Sequence, residues 1–334
     1  MKVAVTGAAG YLGSNLLPLL VAAGHEVTAI DRAVPEHPTD PRITWVSGNV
    51  LDPASMRDVL AGNELVYHLV AVITLSEKND LAWKVNTEGV RVVAEAALAA
   101  GVRRMVHTSS IHAFNQYTCG GRIDESTVRS TDPALPVYDR SKWQGEIELR
   151  KVIDQGLDAV ICNPTGVYGP ADFCTPLSRV NKYLKDASLG KVPAMISGGF
   201  DMVDVRDVAL GLTLAAQSGR TGENYLLGSE MVTTIDLCRM AASANGRKGP
   251  RFEVPVKLVA GVMPVLEPIG KLFGSEVLSK AALGAIISAP IVDHGKATKE
   301  LGYQPRSTED TVRDLVAFFN DPAAFVPEDT RRIA

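Results

Sequence analysis

Short apolar segments alternate with longer patterns of apolar and polar residues along the first half of the chain. The apolar segments predict β-strands at Lys2–Thr6, Glu26–Ile30, Ile43–Val46, Leu65–Val70, Arg103–Thr108 and Ala159–Cys162. The longer patterns predict α-helices at Leu12–Ala23, Pro53–Leu60, Ala82–Ala100 and Tyr138–Asp154. Strands that alternate with helices of this length pair in parallel through right-handed crossovers. The sequence therefore predicts an α/β fold built on a doubly wound parallel sheet.

The pattern becomes less regular after Pro164, where prolines and glycines are frequent. Further helices are predicted at Arg206–Ala216 and Ile235–Ala244. We interpret the apolar, proline-interrupted segment Val254–Val292 as a lid over a substrate pocket, with a plain structural subdomain as the alternative. The predicted division is a first domain at 1–165, to which 195–228 returns, and a smaller C-terminal cap at 166–194 and 229–334.

Composition and charge narrow the class of protein. Of the 334 residues, 46% are hydrophobic and 22% are charged, which is typical of a soluble globular enzyme. The net charge is −4, and no segment combines basic with aromatic residues, so no nucleic-acid partner is expected.

The cysteines and the apolar segments indicate where in the cell the protein is expected. The cysteines form no Cys-x-x-Cys pair, which favours reduced thiols in the cytoplasm over disulfides or a metal site. No secretory signal is recognised before the glycine-rich turn at Gly7. The charge-free segment Ala281–Val292 is too short to span a bilayer, and a buried cap helix is favoured over contact with a membrane surface.

A glycine-rich segment, VTGAAGYLG, joins the first predicted strand to the first predicted helix. Gly7 permits a tight turn, Gly10 lets the backbone approach a pyrophosphate, and Gly13 lets the helix pack closely on the strand. The phosphates would meet free N–H groups at the helix N-terminus, beside Tyr11 and Leu12. The segment alone could be a structural turn, but its context favours a Rossmann-type, dinucleotide-binding first domain.

An acidic residue at the end of the second predicted strand tests this interpretation. Asp31 occupies that position, where a carboxylate accepts hydrogen bonds from the adenosine ribose and repels a 2′-phosphate. Arg32 follows and can hold such a phosphate, so NAD is favoured while NADP stays possible. Asn49 and Val50, after the third strand, are predicted to lie beside the adenine.

The segment YDRSK places Tyr138 and Lys142 on one face of a predicted helix. A tyrosine has an ordinary pKa of about 10, and a nearby ammonium lowers it towards the working range. Ser110 ends the segment HTSS at the edge of the sheet where ligands bind, and its hydroxyl can orient a substrate oxygen. Each feature alone is common on protein surfaces, but their order after the glycine segment and Asp31 predicts a redox site.

Two further residues, both after Ser110 in the chain, are predicted to line the substrate pocket. His112 and Phe114 follow Ser110 closely enough to line the pocket, and a loop histidine without a role is the alternative for His112. The pocket is expected to take a small molecule, and no metal ligands are predicted.

The chain resembles the extended short-chain dehydrogenase/reductases, which belong to the NAD-dependent epimerase/dehydratase superfamily. The matching segments follow family order over nearly the whole chain: TGAAGYLG, VYHLVAV, VNTEGV, HTSS, YDRSK, NPTGVYGP, DMVDVRDVA and GENYLLG. The resemblance implies a catalytic Ser110, Tyr138 and Lys142, and a cofactor site with further members at Leu69, Val70, Ala71, Asn86, Thr108, Pro164, Thr165, Gly166 and Val167. It also implies a homodimer formed through the helices Ala82–Ala100 and Tyr138–Asp154.

Two departures from the family pattern affect the predicted reaction. Val70 replaces the usual alanine under the cofactor, and Asn163 stands where many sugar-nucleotide epimerases and dehydratases carry arginine. The segment NPTGVYGP is closer to the dihydroflavonol-reductase-like and 3β-hydroxysteroid-dehydrogenase-like branch. This branch favours reversible hydride transfer between NAD(P) and an apolar substrate such as a steroid, terpenoid, flavonoid or aryl carbonyl.

Two other functions stay open. A nucleotide-sugar 4-epimerase or dehydratase with bound NAD would use the same residues and would need basic side chains over a diphosphate. The candidates, which could equally form a solvated helix face, are Arg179, Lys182, Lys185, Lys191 and Arg251. Ile111-His112 replaces the acidic pair that dehydratases tend to place after the serine. A non-enzymatic regulator ranks last, because Tyr138 and Lys142 are both present.

Overall fold

A central parallel sheet organises the chain, as the sequence predicts. The computed structural model describes residues 1–34, 40–262, 284, 286–287, 289–323 and 325. The sheet has seven strands: β1 (Lys2–Thr6), β2 (Glu26–Asp31), β3 (Ile43–Ser47), β4 (Leu65–His68), β5 (Arg104–Thr108), β7 (Ala159–Pro164) and β11 (Asn224–Leu227). Their order is β11-β7-β5-β4-β1-β2-β3, and every pair is parallel. The doubly wound α/β prediction is confirmed, although β11 was not anticipated.

Helices cover both faces of this sheet. The two layers comprise α1 (Tyr11–Ala22) and α6 (Val205–Ser218) on one face and α2 (Pro53–Leu60), α3 (Asp80–Ala99) and α4 (Val137–Ile153) on the other. The first face buries Leu16 and Leu212 against the strands, and the second buries Val93 and Leu149. Each such side chain contributes about 1.5–3 kcal/mol when it leaves water.

Smaller sheets and helices follow the main sheet. A three-stranded sheet consists of β8 (Gly166–Tyr168), β10 (Gly199–Asp204) and β12 (Glu230–Thr233), and two-stranded sheets pair β9 (Ala194–Ile196) with β13 (Phe252–Val254) and β6 (Arg122–Ile123) with β14 (Ile291–Val292). The helices are α5 (Arg179–Ser188), α7 (Thr234–Ala244), α8 (Gly295–Leu301) and α9 (Thr308–Asn320). A separate hydrophobic cluster joins α5, α7 and α9.

Two predicted boundaries differ from the observed ones where the candidate site begins. β4 ends at His68 instead of Val70, because the chain leaves the sheet after Leu69 N donates to Thr6 O. β7 continues to Pro164, two residues beyond the prediction, because β11 pairs with it along that stretch. Both changes concern the edge of the sheet formed by the carboxyl ends of the strands.

The predicted lid at Val254–Val292 lies largely outside the described residues, since 263–283, 285 and 288 are not among them. The same holds for much of Ala281–Val292. Within the described ranges, no helix is both long enough and apolar enough to cross a bilayer.

Candidate active site

The glycine segment forms the turn between β1 and α1. Gly7 adopts the left-handed conformation (φ +76°), and its N–H donates to the carbonyl of Ile30 at 2.9 Å. Gly10 is the residue before α1, and no side chain caps that helix. The first N–H groups of an α-helix have no partner within the helix, so those of Tyr11, Leu12 and Gly13 can meet an anion.

Space around the glycines fits the predicted pyrophosphate. A Cβ on Gly13 would collide with the carbonyl oxygen of Ala8, so this glycine is required for close packing of α1. A Cβ on Gly10 would meet only the carbonyl oxygen of Gly7, at 3.2 Å, and would otherwise occupy open space. Gly10 therefore leaves room where a ligand can approach the backbone, as a dinucleotide requires.

Asp31 ends β2 beside the glycine turn. Its carboxylate accepts hydrogen bonds from the N–H groups of Ala9 (3.1 Å) and Arg32 (2.7 Å), and the Arg32 side chain is exposed. Asn49, after β3, uses its side-chain oxygen to accept from Leu51 N at 3.0 Å, while Val50 is buried beneath α3. These residues line one approach to the turn, in the order expected of an adenosine site.

The segment after β4 passes beneath the same turn. A Cβ on Gly7 would come within 3.2 Å of Val70 N, so the backbone of Val70 lies directly against the glycine. Leu69, Val70 and Ala71 are all half-buried. Asn86 of α3 fixes the next residue by accepting from Val72 N (2.9 Å) and donating to Val72 O (3.0 Å).

Asn86 also reaches the helix that carries the tyrosine. Its side-chain amide donates to Ser141 Oγ at 3.0 Å, and Ser141 Oγ donates to the carbonyl of Tyr138 at 2.9 Å. Gly145 lets α4 approach α3, because a Cβ there would collide with the Asn86 carbonyl oxygen. One buried asparagine thus connects the segment after β4 with the first turn of α4.

Ser110, Tyr138 and Lys142 meet at the carboxyl edge of the sheet. Their exposed fractions are 6%, 8% and 2%. The Lys142 ammonium donates to the carbonyl of Thr108 at 2.9 Å, which ties α4 to the end of β5. The hydroxyl oxygens of Thr108 and Ser109 are buried without a hydrogen-bond partner among the described residues. Such atoms favour a polar ligand at this edge.

The acidity of the tyrosine differs from the sequence-based expectation. Burial raises the pKa of Tyr138 to about 12, the hydrogen bond from Ser110 opposes the rise, and the charge of Asp139 adds to it. The expected lowering by Lys142 is not among the causes of this shift, which desolvation of the phenolate dominates. The phenol is therefore protonated at neutral pH in the protein alone.

Lys142 is deprotonated more easily than an ordinary lysine. Burial lowers its pKa to about 8, and the carboxylate of Glu146, one turn further along α4, opposes the fall. Glu146 was missed by sequence reasoning, although its spacing of four residues from Lys142 places it on the same face of the helix. A charged residue on the inner face of a helix is the signal that could have revealed it.

Glu146 anchors a buried polar network behind Ser110. Its oxygens accept from Asn163 Nδ2 (2.7 Å) and Asn224 Nδ2 (3.0 Å), and Arg129 lies 3.4 Å away. Asn163 Nδ2 also donates to the carbonyl of Ser110 at 2.9 Å. The asparagine that departs from the family pattern therefore holds the backbone of the predicted catalytic serine.

Lys142→Met is expected to raise the free energy of unfolding at pH 7 by about 1 kcal/mol. A lysine pKa lowered from about 10.4 to about 8 corresponds to a destabilisation of roughly 3 kcal/mol, of which the lost Thr108 hydrogen bond offsets a part. The destabilisation is complete below pH 8 and disappears towards pH 10, because the unfolded chain binds more protons over that range. Urea unfolding of both proteins at pH 7 and pH 10 measures it; lower stability of the variant at pH 7 would contradict the expectation.

The remaining predicted residues occupy varied positions. Phe114 is fully buried, and the Arg129 guanidinium lies 3.8 Å from its ring centroid, so contact with a substrate would require that pair to move. His112 is partly exposed beside Tyr138. Pro164 ends β7, and the next residues, Thr165, Gly166 and Val167, lead along β8.

The glycine turn also holds the segment after β8. Tyr11 OH donates to the carbonyl of Gly169 at 2.6 Å, and Ser14 Oγ donates to that of Ala171 at 3.0 Å. Among the described residues, no group of three or more acidic, histidine or cysteine side chains has the arrangement of a metal site.

Known sequences resemble this chain over most of its length. A model of the NAD-dependent epimerase/dehydratase family matches residues 3–228. The chain is 31% identical to sterol demethylase protein B of Methylococcus capsulatus over 96% of this chain and 99% of that protein. It is 30% identical to a putative dihydroflavonol 4-reductase of Synechocystis over 95% and 94%. A UDP-glucose 4-epimerase of Mycolicibacterium smegmatis is 32% identical over 76% and 86%.

Solved structures give the same result for the fold. The crystal structure of gox2253 has a TM-score of 0.83 and 30% identity, and the match covers 97% of this chain and 99% of that one. A Thermus thermophilus UDP-glucose 4-epimerase complex with NAD has a TM-score of 0.75 and 22% identity, covering 96% and 99%.

Proposed function

Because the chain belongs to the NAD-dependent epimerase/dehydratase family, we propose that it interconverts a secondary alcohol and a ketone or aldehyde on an apolar substrate. Membership confirms the predicted NAD cofactor and the resemblance to extended short-chain dehydrogenase/reductases. The family includes dehydrogenases, epimerases and dehydratases, so the choice among these reactions is our inference from the site.

The convergence of Ser110, Tyr138 and Lys142 at the carboxyl edge of the sheet carries this proposal. NAD, when bound along Gly7–Gly13 and Asp31, supplies the acceptor or donor for the hydride. The Tyr138 phenol gives a proton to the carbonyl oxygen in reduction, and its phenolate takes a proton from the alcohol in oxidation. The Ser110 hydroxyl orients that oxygen, and the Lys142 ammonium supplies positive charge beside the phenolate.

The names of two relatives and the exposure of the basic side chains favour an apolar alcohol as the substrate. One relative is a putative dihydroflavonol 4-reductase, and another is a 3-beta-hydroxysteroid dehydrogenase of Mycolicibacterium neoaurum, 26% identical over 96% of this chain. The basic residues considered for a diphosphate are all exposed, and Lys185 lies over the ring of Phe319: Arg179, Lys182, Lys185, Lys191 and Arg251. Such exposure is typical of a solvated face rather than a phosphate pocket.

The alternative function is a nucleotide-sugar 4-epimerase or dehydratase with tightly held NAD. The similarity to a UDP-glucose 4-epimerase favours it, and the same three side chains serve that chemistry. Such an enzyme binds its cofactor through the whole cycle and forms no net NADH.

Absorbance at 340 nm distinguishes the two functions. The purified protein is incubated with NAD and a panel of steroid, terpenoid and aryl alcohols. We expect net NADH formation and ready exchange of added NAD. Protein that purifies with NAD, converts UDP-sugars and gives no change at 340 nm with any alcohol would overturn the proposal.

Asp31→Ala is expected to weaken NAD binding about tenfold or more and to shift preference towards NADP. The carboxylate is the group placed to accept from the ribose, and hydrogen bonds to charged groups contribute about 1.5–3 kcal/mol. Calorimetric titration with both cofactors measures this. Arg32→Ala is the matched control and should reduce NADP binding alone. Tighter binding of NADP than NAD by the unaltered protein would refute the role of Asp31.

The proposed function also includes a domain division, an oligomeric state and a cellular location. Residues 1–165, with 195–228, would hold the cofactor, and 166–194 with 229–334 would form the substrate cap; the position of β11 beside β7 supports the return of the chain. A homodimer would form through α3 and α4, which sedimentation equilibrium tests. The scattered free cysteines support a cytoplasmic location.

A further inference from the structure

Asp139, next to the proposed catalytic tyrosine, is a buried carboxylate with an unusual partner. Its exposed fraction is 3%, and Oδ1 lies 2.8 Å from His112 Nδ1. No other hydrogen bond to its side chain is present among the described residues. Sequence reasoning gave Asp139 no role, and neither the hydride transfer nor the proton transfer proposed above uses it. A buried carboxylate requires compensation, so this pairing is a built feature of the site.

The contact fixes the proton on the histidine. A carboxylate only accepts hydrogen bonds, so its 2.8 Å contact assigns a hydrogen to Nδ1. Gln116 Nε2 lies 3.1 Å from the same nitrogen, and a half-turn of the carboxamide brings its oxygen there to accept that hydrogen as well. Nε2 is then an acceptor in the neutral ring, and no described residue bonds to it. About a third of the His112 side chain (31%) is exposed.

The histidine lies beside the reacting position. Its ring meets the Tyr138 ring edge-on, with 5.2 Å between centroids and 63° between planes. The backbone N–H of His112 donates to Ser110 Oγ at 3.3 Å, so the chain keeps this residue next to the serine. Because the imidazole packs against Tyr138, a substrate oxygen bound to that phenol would bring its neighbouring carbon towards the imidazole.

Charge identifies the kind of group that this position takes. Asp139 supplies a negative charge directly behind the ring, so a substrate carboxylate or phosphate gains little there. A neutral hydroxyl can donate to Nε2, as an alcohol does to the histidine of an aspartate–histidine pair. Resting on the proposed function, we infer that His112 binds a second hydroxyl on the carbon next to the oxidised one, so the substrate is an apolar vicinal diol or, in reverse, an α-hydroxy ketone.

Matched alcohols test this inference. 1-Phenylethane-1,2-diol and 1-phenylpropan-1-ol differ by a hydroxyl in place of a methyl group, as do cyclohexane-1,2-diol and 2-methylcyclohexanol. The unaltered protein should prefer the diol of each pair by about tenfold in kcat/KM with NAD, the effect of one hydrogen bond. Equal use of both members, or preference for the mono-alcohol, would overturn the inference.

Variants of His112 and Asp139 test whether these two residues cause the preference for the diol. His112→Phe keeps a ring against Tyr138 and should bring the ratio within each pair close to one, whatever happens to the overall rate. His112→Gln restores an acceptor and should recover part of the ratio. Asp139→Asn permits the hydrogen to move to Nε2 and should also reduce it. A ratio that survives in His112→Phe would show that another group binds the second hydroxyl and would overturn the inference.

A binding measurement separates this inference from the proposed function. If no alcohol is oxidised, the proposed function fails, and calorimetric titration of NAD-loaded protein with the same pairs still decides about His112. Tighter binding of the diol by the unaltered protein but not by His112→Phe supports the second hydroxyl site. Equal binding in both proteins overturns it.

Discussion

Tyr138→Phe is expected to lower alcohol oxidation by about 10³-fold, because the phenol is the group placed to exchange the substrate proton. The hydroxyl is removed from a ring that otherwise stays packed against His112, so the variant should fold normally. NAD affinity should change little, since the glycine turn and Asp31 are untouched. Initial rates at 340 nm, calorimetric NAD titration and a thermal melt measure the three quantities.

Tyr183→Phe is the matched control for this prediction. Tyr183 packs in the hydrophobic cluster of α5, α7 and α9, and removal of its hydroxyl should leave the rate within a few-fold of the original. Retention of oxidation in Tyr138→Phe would refute the assigned proton transfer. Loss of NAD binding or of the cooperative melt in that variant would show that its rate reports structure rather than chemistry.

The pH dependence belongs to the same experiment. The raised pKa of Tyr138 means that the phenol stays protonated through neutral pH unless a ligand changes its surroundings. Oxidation needs the proton acceptor and should therefore accelerate as pH rises from 6 to 9, whereas carbonyl reduction should not. The acceleration should be absent in Tyr138→Phe.

Gly13→Ala is expected to lower the free energy of unfolding by roughly 3 kcal/mol, the upper range for overpacking a close contact. Its Cβ would collide with the carbonyl oxygen of Ala8 and approach that of Gly7, both of them backbone atoms that cannot move aside cheaply. Either α1 shifts away from β1 or the turn opens, and in both cases NAD binding is lost along with stability. Urea unfolding and calorimetric NAD titration measure the two effects.

Gly10→Ala is the control that separates packing from ligand space. Its Cβ would meet only the Gly7 carbonyl oxygen at 3.2 Å, so the expected loss of stability is below about 1 kcal/mol. NAD affinity should nevertheless fall at least tenfold, because the methyl group occupies the open space above the turn. Equal loss of stability in the two variants, or unchanged NAD affinity in Gly10→Ala, would contradict the roles given to these glycines.

The sheet could be predicted where strands alternate regularly with helices, and there the agreement is close. Strand β11 was not predicted, because its four residues follow the irregular region after Pro164 and pair with a strand about 60 positions earlier. No local pattern encodes such a partner. Motif order also placed Ser110, Tyr138 and Lys142, because the carboxyl ends of parallel strands meet at one edge.

Properties that depend on burial were not accessible from the sequence. The expected fall in the pKa of Tyr138 considered only the neighbouring lysine, whereas desolvation dominates in the folded protein. Glu146 and Asn163 act together although 17 positions separate them, and Asp139 pairs with a histidine on another segment. These contacts depend on how helix α4 lies against β5 and β7, which periodicity does not specify.

Asn86 contacts both the segment proposed to lie under the cofactor and the helix that carries the proposed proton donor. It holds the backbone at Val72, next to the segment under the cofactor site, and through Ser141 it holds the first turn of α4. A displacement of that asparagine moves the position of the hydride and the position of the proton together instead of separating them. Small motions of α3 would then move both positions in the same direction and change their separation little.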